Sequence, residues 1–348
     1  MNDMYPSATS TRIAVVIPYY QVDPGILTRA LNSVFSQDLP AGVSLRVYVI
    51  DDASPHPAAA EVAALTAPAQ VSVVVQTQPN GGPGSARNRA LDLAETAGDI
   101  DFVAFLDSDD IWRSRHLADA LAALEQGYDF YCCDNARPGS FERFSEDVAL
   151  LNDGGRGLAD RATLIDPDGP VRGFAAHMLD DEFVTGYLSH TSTVVLRATA
   201  VRGIRFDPDL RNAGEDSMFW LTVILSGAKV AISWRCNVDC GKGINLFFSA
   251  YDWNSASTID RIGSQLLFAE KLLKHPALNP VRLAFAKARQ RKNRRAYGFL
   301  FVRTLLRLRR PPLRTFRLLL KFDPWLPLRL PVLFLAVFTD KRPEAKRL

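Results

Sequence analysis

Short apolar runs alternate with amphipathic stretches along the first third of the chain. RIAVVIP, residues 12–18, is a β-branched run stopped by a proline and reads as a buried strand. Residues 24–37 place Ile26, Leu27, Leu31, Val34 and Phe35 at helical spacing, with Pro24 at an early helical position. SLRVYVIDDAS is a second strand, ending in two carboxylates. Residues 57–66 form an alanine-rich helix, and VSVVVQTQ is a third strand. NGGPGSARNRALDLAET is a Gly-rich turn running into a helix, DFVAFLDSDD is a fourth strand, and residues 114–126 are a further amphipathic helix. Strands alternating with helices predict an α/β fold, a mostly parallel sheet flanked by helices. Past residue 140 the alternation fades. Residues 140–180, rich in Gly, Asp and Pro, are expected to be loops, and no internal repeat is present.

In open α/β sheets, ligands bind beyond the carboxyl ends of the strands. Pro18-Tyr19-Tyr20, Asp51-Asp52, Asn80-Gly81-Gly82 and Asp107-Ser108-Asp109 all fall just past such an end. FLDSDDIW, residues 105–112, sets Asp107, Asp109 and Asp110 within four positions behind an apolar run. Like charges this close repel, and burying one without a partner is costly. A lone Asp there would be a helix cap or a turn residue. Three carboxylates beside Asp51-Asp52 point instead to a bound cation. Mg²⁺ and Mn²⁺ are hard ions that take one or two carboxylates together with phosphate oxygens.

Composition agrees with a globular protein. Of 348 residues, 47% are hydrophobic and 23% charged, enough to bury a sizeable core. The four cysteines form no CxxC pair and have no His cluster around them, which argues against structural zinc and a disulfide framework and fits a reducing compartment. MNDMYPSATSTR has no apolar stretch of the kind a secretion signal needs, so none is expected. The net charge of +3 conceals a split. Residues 281–348 hold 19 of the 41 Lys and Arg but 3 of the 38 Asp and Glu, a net +16, which leaves −13 on residues 1–280.

IAVVIPYY, VIDDAS, NGGPGSARNRA, FLDSDDIW and AGEDSMFW occur in that order over about residues 12–245. Together they resemble the inverting glycosyltransferases of family 2, which have the Rossmann-like GT-A fold. VIPYYQVDPGILTRALNSVF and CGKGINLFF further resemble bacterial enzymes that build succinoglycan-type exopolysaccharide repeat units. The resemblance implies an α/β GT-A domain and a sugar, glucose among the candidates, passing from a UDP-sugar to a lipid-linked saccharide. It implies that Asp52 accepts a hydrogen bond from the uracil ring while the backbone at Pro18 and Tyr19 cradles the nucleoside. Asp109, helped by Asp107, would hold Mg²⁺ or Mn²⁺ on the diphosphate, with Arg87 nearby, and Asp216 would be the general base. Inversion is a single displacement, needing a base for the acceptor hydroxyl and a metal for the leaving diphosphate. The chain carries no GxSxG signature of a covalent nucleophile.

Plainer readings stand beside several of these residues. NGGPGSARNRA lacks the GK[ST] of a phosphate-binding P-loop, and its arginines, Arg89 above all, suit a solvated helix face. Glu215-Asp216 suits a helix start. His190 reads as a satisfied polar residue before a strand, and Cys236 and Cys240 as ordinary thiols. Gly241 to Asn245 reads as a flexible loop over the site, with Lys242 within reach of a diphosphate.

The chain is expected to divide into a GT-A domain, residues 1–260, and a basic helical appendage, residues 261–348. YGFLFVRTLLRLRRPPLRTFRLLLKF interleaves Arg with Leu and Phe, and LPVLFLAVF is too short to span a bilayer. A segment of this kind lies on an anionic membrane surface, which places the protein at the inner face of the cell membrane. Its apolar content and the acidic remainder argue against nucleic acid. Helices packed on the catalytic domain, with arginines in solvent, are the bland alternative. Competing functions are a nucleotidyltransferase, whose basic nucleotide-gripping signature is missing near the N-terminus, and a non-catalytic sugar-nucleotide-binding protein, against which intact Asp109 and Asp216 speak.

Overall fold

A computed structural model describes residues 10–211, 213–241 and 256–339. Ten strands form one sheet: β1 (Thr11–Tyr19), β2 (Val43–Asp51), β3 (Val71–Thr77), β4 (Phe102–Phe105), β5 (Ile111–Trp112), β6 (Phe130–Ala136), β7 (Thr163–Asp166), β8 (Val171–Phe174), β9 (Val194–Arg197) and β10 (Val230–Asp239). Their order is β3-β2-β1-β4-β9-β6-β10-β8-β7, with β5 paired to β10. The expected parallel order holds from β3 through β4 and again between β6 and β10. The other pairings are antiparallel: β9 inserts between β4 and β6 against both, and β5, β8 and β7 pair by antiparallel contacts at the β10 end.

Helices α1 (Ile26–Phe35), α2 (Ala58–Ala63), α3 (Pro83–Ala97) and α4 (His116–Leu124) fall where the apolar spacing put them. Strand β1 is buried from Ile13 to Tyr19, as a central parallel strand covered on both faces must be. Leu27, Leu31 and Val34 of α1 and Leu117, Leu121 and Leu124 of α4 pack into the same core as β1 and β2.

Residues 140–180 hold more order than expected. The short helices α5 (Phe144–Asp147) and α6 (Asn152–Gly155) precede β7 and β8, α7 (Asp180–Thr185) follows, and α8 (Ala198–Val201) comes after β9. Strand β8 forms by pairing with β10, some sixty residues on, a contact no local pattern encodes. Helix α9 (Glu215–Leu225) then leads back to β10. Its Phe219 stacks on Phe206 at 4.1 Å, and both meet Phe105 and Trp220 edge-on.

The chain forms two compact units. One comprises the residues up to Phe206 and Phe219–Ile244, and the other Asp207–Met218 and the residues from Asn245 onward. Among the described residues the second unit holds four further helices, α10 (Ala256–Leu272), α11 (Pro280–Leu306), α12 (Leu313–Leu320) and α13 (Leu326–Thr339). Within it Lys271 pairs with Asp207 at 2.6 Å and Asp209 at 3.0 Å, and Phe301 stacks on Phe316.

Candidate active site

The register brings the expected strand ends to one edge. Tyr19 lies opposite Asp51, and Phe105 opposite Val16, so Asp51-Asp52 and Asp107 to Asp110 emerge beside the end of β1. Asp51 organises its own loop: its carboxylate accepts from the N–H groups of Ser54 (2.7 Å) and Ala58 (2.9 Å), which closes the turn into α2. Asp52, also buried, holds the Gly-rich turn. Its Oδ1 accepts from Gly81 N and Gln78 Nε2, and its Oδ2 from Gly82 N at 2.7 Å. Three of about four acceptor positions are thereby filled, and one remains. A Cβ on Gly81 would meet Ser85 Oγ at 2.5 Å, so the turn closes this tightly only with glycine there.

Pro18 lies within β1, and the Tyr19 carbonyl accepts from Asp52 N at 2.9 Å. The Tyr19 side chain is buried, and its hydroxyl donates to Glu61. Burial, with the Glu61 charge, raises its pKa well above the ordinary tyrosine value. Gln21 ties the loops together: its N–H donates to Ser54 Oγ and its side-chain amide to Ser108 Oγ.

Arg87, in the second turn of α3, is nearly enclosed. Its guanidinium donates to Asp107 Oδ1 at 2.6 Å and lies over the Phe206 ring at 5.3 Å. Burial raises the Asp107 carboxyl, but Arg87 and His190 outweigh it and hold the carboxyl below its usual range. Arg87 thus keeps Asp107 ionised and fixes its direction. Arg89 instead turns to Gln76 on the exposed side of the helix, as its plainer reading had it.

The FLDSDD residues rest on partners that sequence reasoning passed over. Ser192 Oγ accepts from Asp107 N at 2.9 Å and donates to Asp110 Oδ2 at 2.6 Å, while the Ser192 carbonyl accepts from Trp112 Nε1. Asp110 Oδ1 accepts from Gly241 N at 2.8 Å. The backbones of Gly241 and Asp109 approach so closely that a Cβ on Gly241 would lie 1.7 Å from the Asp109 carbonyl oxygen. Asp110 is therefore a strut between the two loops. A serine in LSHTSTVVL carries no local signal for this role, since β9 reaches β4 only through the tertiary fold.

His190 Nδ1 lies 3.5 Å from Asp110 Oδ2 and 3.9 Å from Cys240 Sγ. Burial lowers its pKa, but Cys240 and the Asp110 and Asp107 carboxylates prevail and push it up to about 10. Burial pushes Asp110 up to about 6 despite His190, with Asp109 and Asp107 adding to the rise. The ligand atoms of Asp110, His190 and Cys240 lie within 4.8 Å of one another. Cys240 is thus part of a polar cluster, whereas Cys236 is a half-buried thiol.

The two donor sets differ in chemistry. Asp107 and Asp109 offer carboxylate oxygen, which fits a hard divalent cation, and the Arg87 bond engages Asp107 through Oδ1. The Asp110–His190–Cys240 set mixes oxygen, nitrogen and sulfur, which suits a softer ion.

Asp216 stands in the first turn of α9, where the helix dipole favours a carboxylate. Its Oδ1 accepts from Ser217 N at 2.6 Å. It belongs to the second unit, while Pro18, Tyr19, Asp52, Arg87, Asp107 and Asp109 belong to the first. Lys242 and the loop following Gly241 lie outside the described residues.

A central α/β sheet with this edge has the architecture of the GT-A fold. Over 239 residues, 68% of this chain and 71% of that protein, the sequence is 36% identical to the succinoglycan biosynthesis protein ExoW of Rhizobium meliloti (strain 1021). Residues 14–171 match the family description "Glycosyl transferase family 2", and the chain belongs to that family. The fold is similar to that of S. aureus TarS 1-349 in complex with UDP-GlcNAc, with a TM-score of 0.57 and 20% identity, over 94% of this chain and 85% of that one. It is also similar to the mannosyltransferase PcManGT from Pyrobaculum calidifontis in complex with GDP-Man and Mn²⁺, with a TM-score of 0.54 and 17% identity, over 95% and 88%. The resemblance carried by five ordered motifs in the sequence therefore holds.

Proposed function

We propose that the chain transfers a hexose, with inversion, from a UDP-sugar to a lipid-linked saccharide during exopolysaccharide assembly, on a Mg²⁺- or Mn²⁺-dependent site. The observation that carries this reading is the carboxylate edge, where Arg87 and Ser192 hold Asp107 next to Asp109, and Asp52 holds the Gly-rich turn. The family membership supports transfer, and the name of the ExoW relative supports a place in exopolysaccharide assembly. The UDP-GlcNAc complex of TarS and the Mn²⁺ complex of PcManGT support a nucleotide donor and a divalent cation.

In this reading the backbone at Pro18 and Tyr19 cradles the nucleoside, and the remaining acceptor position of Asp52 meets the uracil ring. Asp109 and Asp107 hold the cation, which when bound stabilises charge on the leaving diphosphate. Arg87 acts through Asp107, keeping it ionised and in place beside the diphosphate. Asp216 takes the proton from the acceptor hydroxyl as the new bond forms at the anomeric carbon. Residues 1–260 carry out transfer, and the basic appendage, residues 261–348, brings the enzyme to the anionic inner face of the cell membrane, where a lipid-linked acceptor resides.

A panel of UDP-sugars, each assayed for UDP release with Mn²⁺, with Mg²⁺ and with EDTA, tests the donor reading. One sugar should be preferred, and release should stop in EDTA. Equal release in EDTA would remove the metal role, and no release from any UDP-sugar would remove the donor class.

A further inference from the structure

The second unit carries apolar side chains that the described residues leave uncovered. Helix α13 buries Leu326 and Leu330, and its Phe334 stacks on Phe299 of α11 at 5.4 Å. Its other side should then be polar. Instead Leu328, Val332, Leu335 and Phe338 are between 61% and 70% exposed, and Trp325 just before the helix is 64% exposed. Spacings of three and four residues put these five on one face, with Phe338 at its border, where its ring also meets Phe299 of α11 edge-on at 6.0 Å. A helix that is apolar on both sides is enclosed, by protein or by lipid. At 1.5 Å per residue α13 is roughly 21 Å long, short of the roughly 30 Å hydrocarbon thickness. No helix among the described residues is long and apolar enough to cross a membrane.

The end of α11 offers a second, independent sign. Leu308 is 96% exposed and has φ +56°. Arg309 N donates to the Thr304 carbonyl at 3.0 Å, which makes Leu308 the residue after the C-cap, the left-handed position where glycine is favoured. A leucine here is strained and buries nothing within the protein. It is flanked by Arg307, Arg309 and Arg310, all exposed, and by the exposed Leu305 and Leu306. Stability does not account for such a residue.

Resting on the membrane reading above, we propose how the attachment is made. The outer face of α13 (Trp325, Leu328, Val332, Leu335 and Phe338) and the Leu308 corner insert into the headgroup–acyl boundary of an anionic leaflet, with Arg307, Arg309 and Arg310 on lipid phosphates. Charge selects lipid over the alternatives. A second copy would bring another +16 against the first, and nucleic acid would match the arginines while leaving leucine and phenylalanine in water. An anionic leaflet satisfies both parts.

Leu308→Gly separates this role from a structural one, because its two effects have opposite signs. Glycine relieves the left-handed strain, so the thermal midpoint of the full-length protein should rise. Loss of the inserted side chain should weaken partition onto phosphatidylglycerol-containing vesicles roughly tenfold. The double variant Val332→Ser/Leu335→Ser should weaken it further. Wild type should float with anionic vesicles at low salt, less at high salt, and not with phosphatidylcholine alone. Wild type that ignores anionic vesicles overturns the membrane reading and this inference together. Wild type that binds while the variants bind equally well overturns this face alone. Oligomers in vesicle-free sedimentation that these substitutions dissolve would make the face a self-interface and overturn the proposal.

Discussion

Replacing Arg87 with methionine tests whether the Asp107 carboxylate is held by that guanidinium. Methionine retains most of the aliphatic stem and removes the charge and its donors. The Arg87 side chain is 4% exposed and that of Asp107 26%, so the pair is buried at one end and partly wet at the other. Removing one partner of a fully buried pair costs about 3–5 kcal/mol. Water reaching Asp107 reduces this to about 2 kcal/mol, and the lost guanidinium contact with Phe206 restores about 1 kcal/mol. A loss of about 3 kcal/mol lowers the midpoint of the unit by roughly 6–12 °C.

The pH dependence gives the sharper check. In the folded protein burial raises Asp107, and Arg87 with His190 holds it below its ordinary value. A depressed carboxyl contributes stability that is complete above its unfolded value, about 4, and lost as pH falls through the folded value. Without Arg87 burial meets less opposition, so Asp107 rises and protonates sooner in the variant. The gap between the proteins should therefore be widest near about pH 7 and narrow towards about pH 4.5. Differential scanning fluorimetry in EDTA buffer at both pH values measures it. Equal midpoints at neutral pH, or a gap that widens in acid, would refute the assignment of Arg87 to Asp107.

Other substitutions probe the remaining parts. Asp109→Asn should lower UDP release on the order of 10²-fold at saturating Mn²⁺ with an unchanged thermal midpoint, and wild-type turnover would remove Asp109 from the metal site. Asp216→Asn should leave UDP binding intact by calorimetry and slow transfer on the order of 10²-fold, whereas near-normal transfer would move the base to another residue, with Glu215 the first suspect. Ser192→Ala removes the hydroxyl that bridges Asp110 Oδ2 and Asp107 N, so urea denaturation should show a loss of about 1–3 kcal/mol, and no loss would mean that the bridge is idle. Gly241→Ala forces a methyl against the Asp109 carbonyl and should cost about 1–3 kcal/mol together with turnover, read from the same unfolding curve and UDP assay.

Alternating periodicity determined the first third of the fold from the sequence alone, because β1 to β4 and α1 to α4 are local elements whose apolar spacing matches the faces they bury. The clustered carboxylates of FLDSDD were likewise legible, since adjacent like charges after a buried strand need a partner wherever the strand lies. The partners themselves were not. Arg87 reaches Asp107 across 20 residues, Ser192 reaches Asp110 across 82, and Gly241 reaches Asp110 across 131. Such separations are closed by strand order, and β9 between β4 and β6 sets that order through pairings that side-chain periodicity does not specify. The tail divides in the same way. Its charge and its Leu-Arg interleaving are composition, but which leucines stay outside depends on which face of α13 meets α11. Leu308 is exposed because α11 ends two residues before it, past the cap at Arg307, in a backbone conformation the local sequence does not favour.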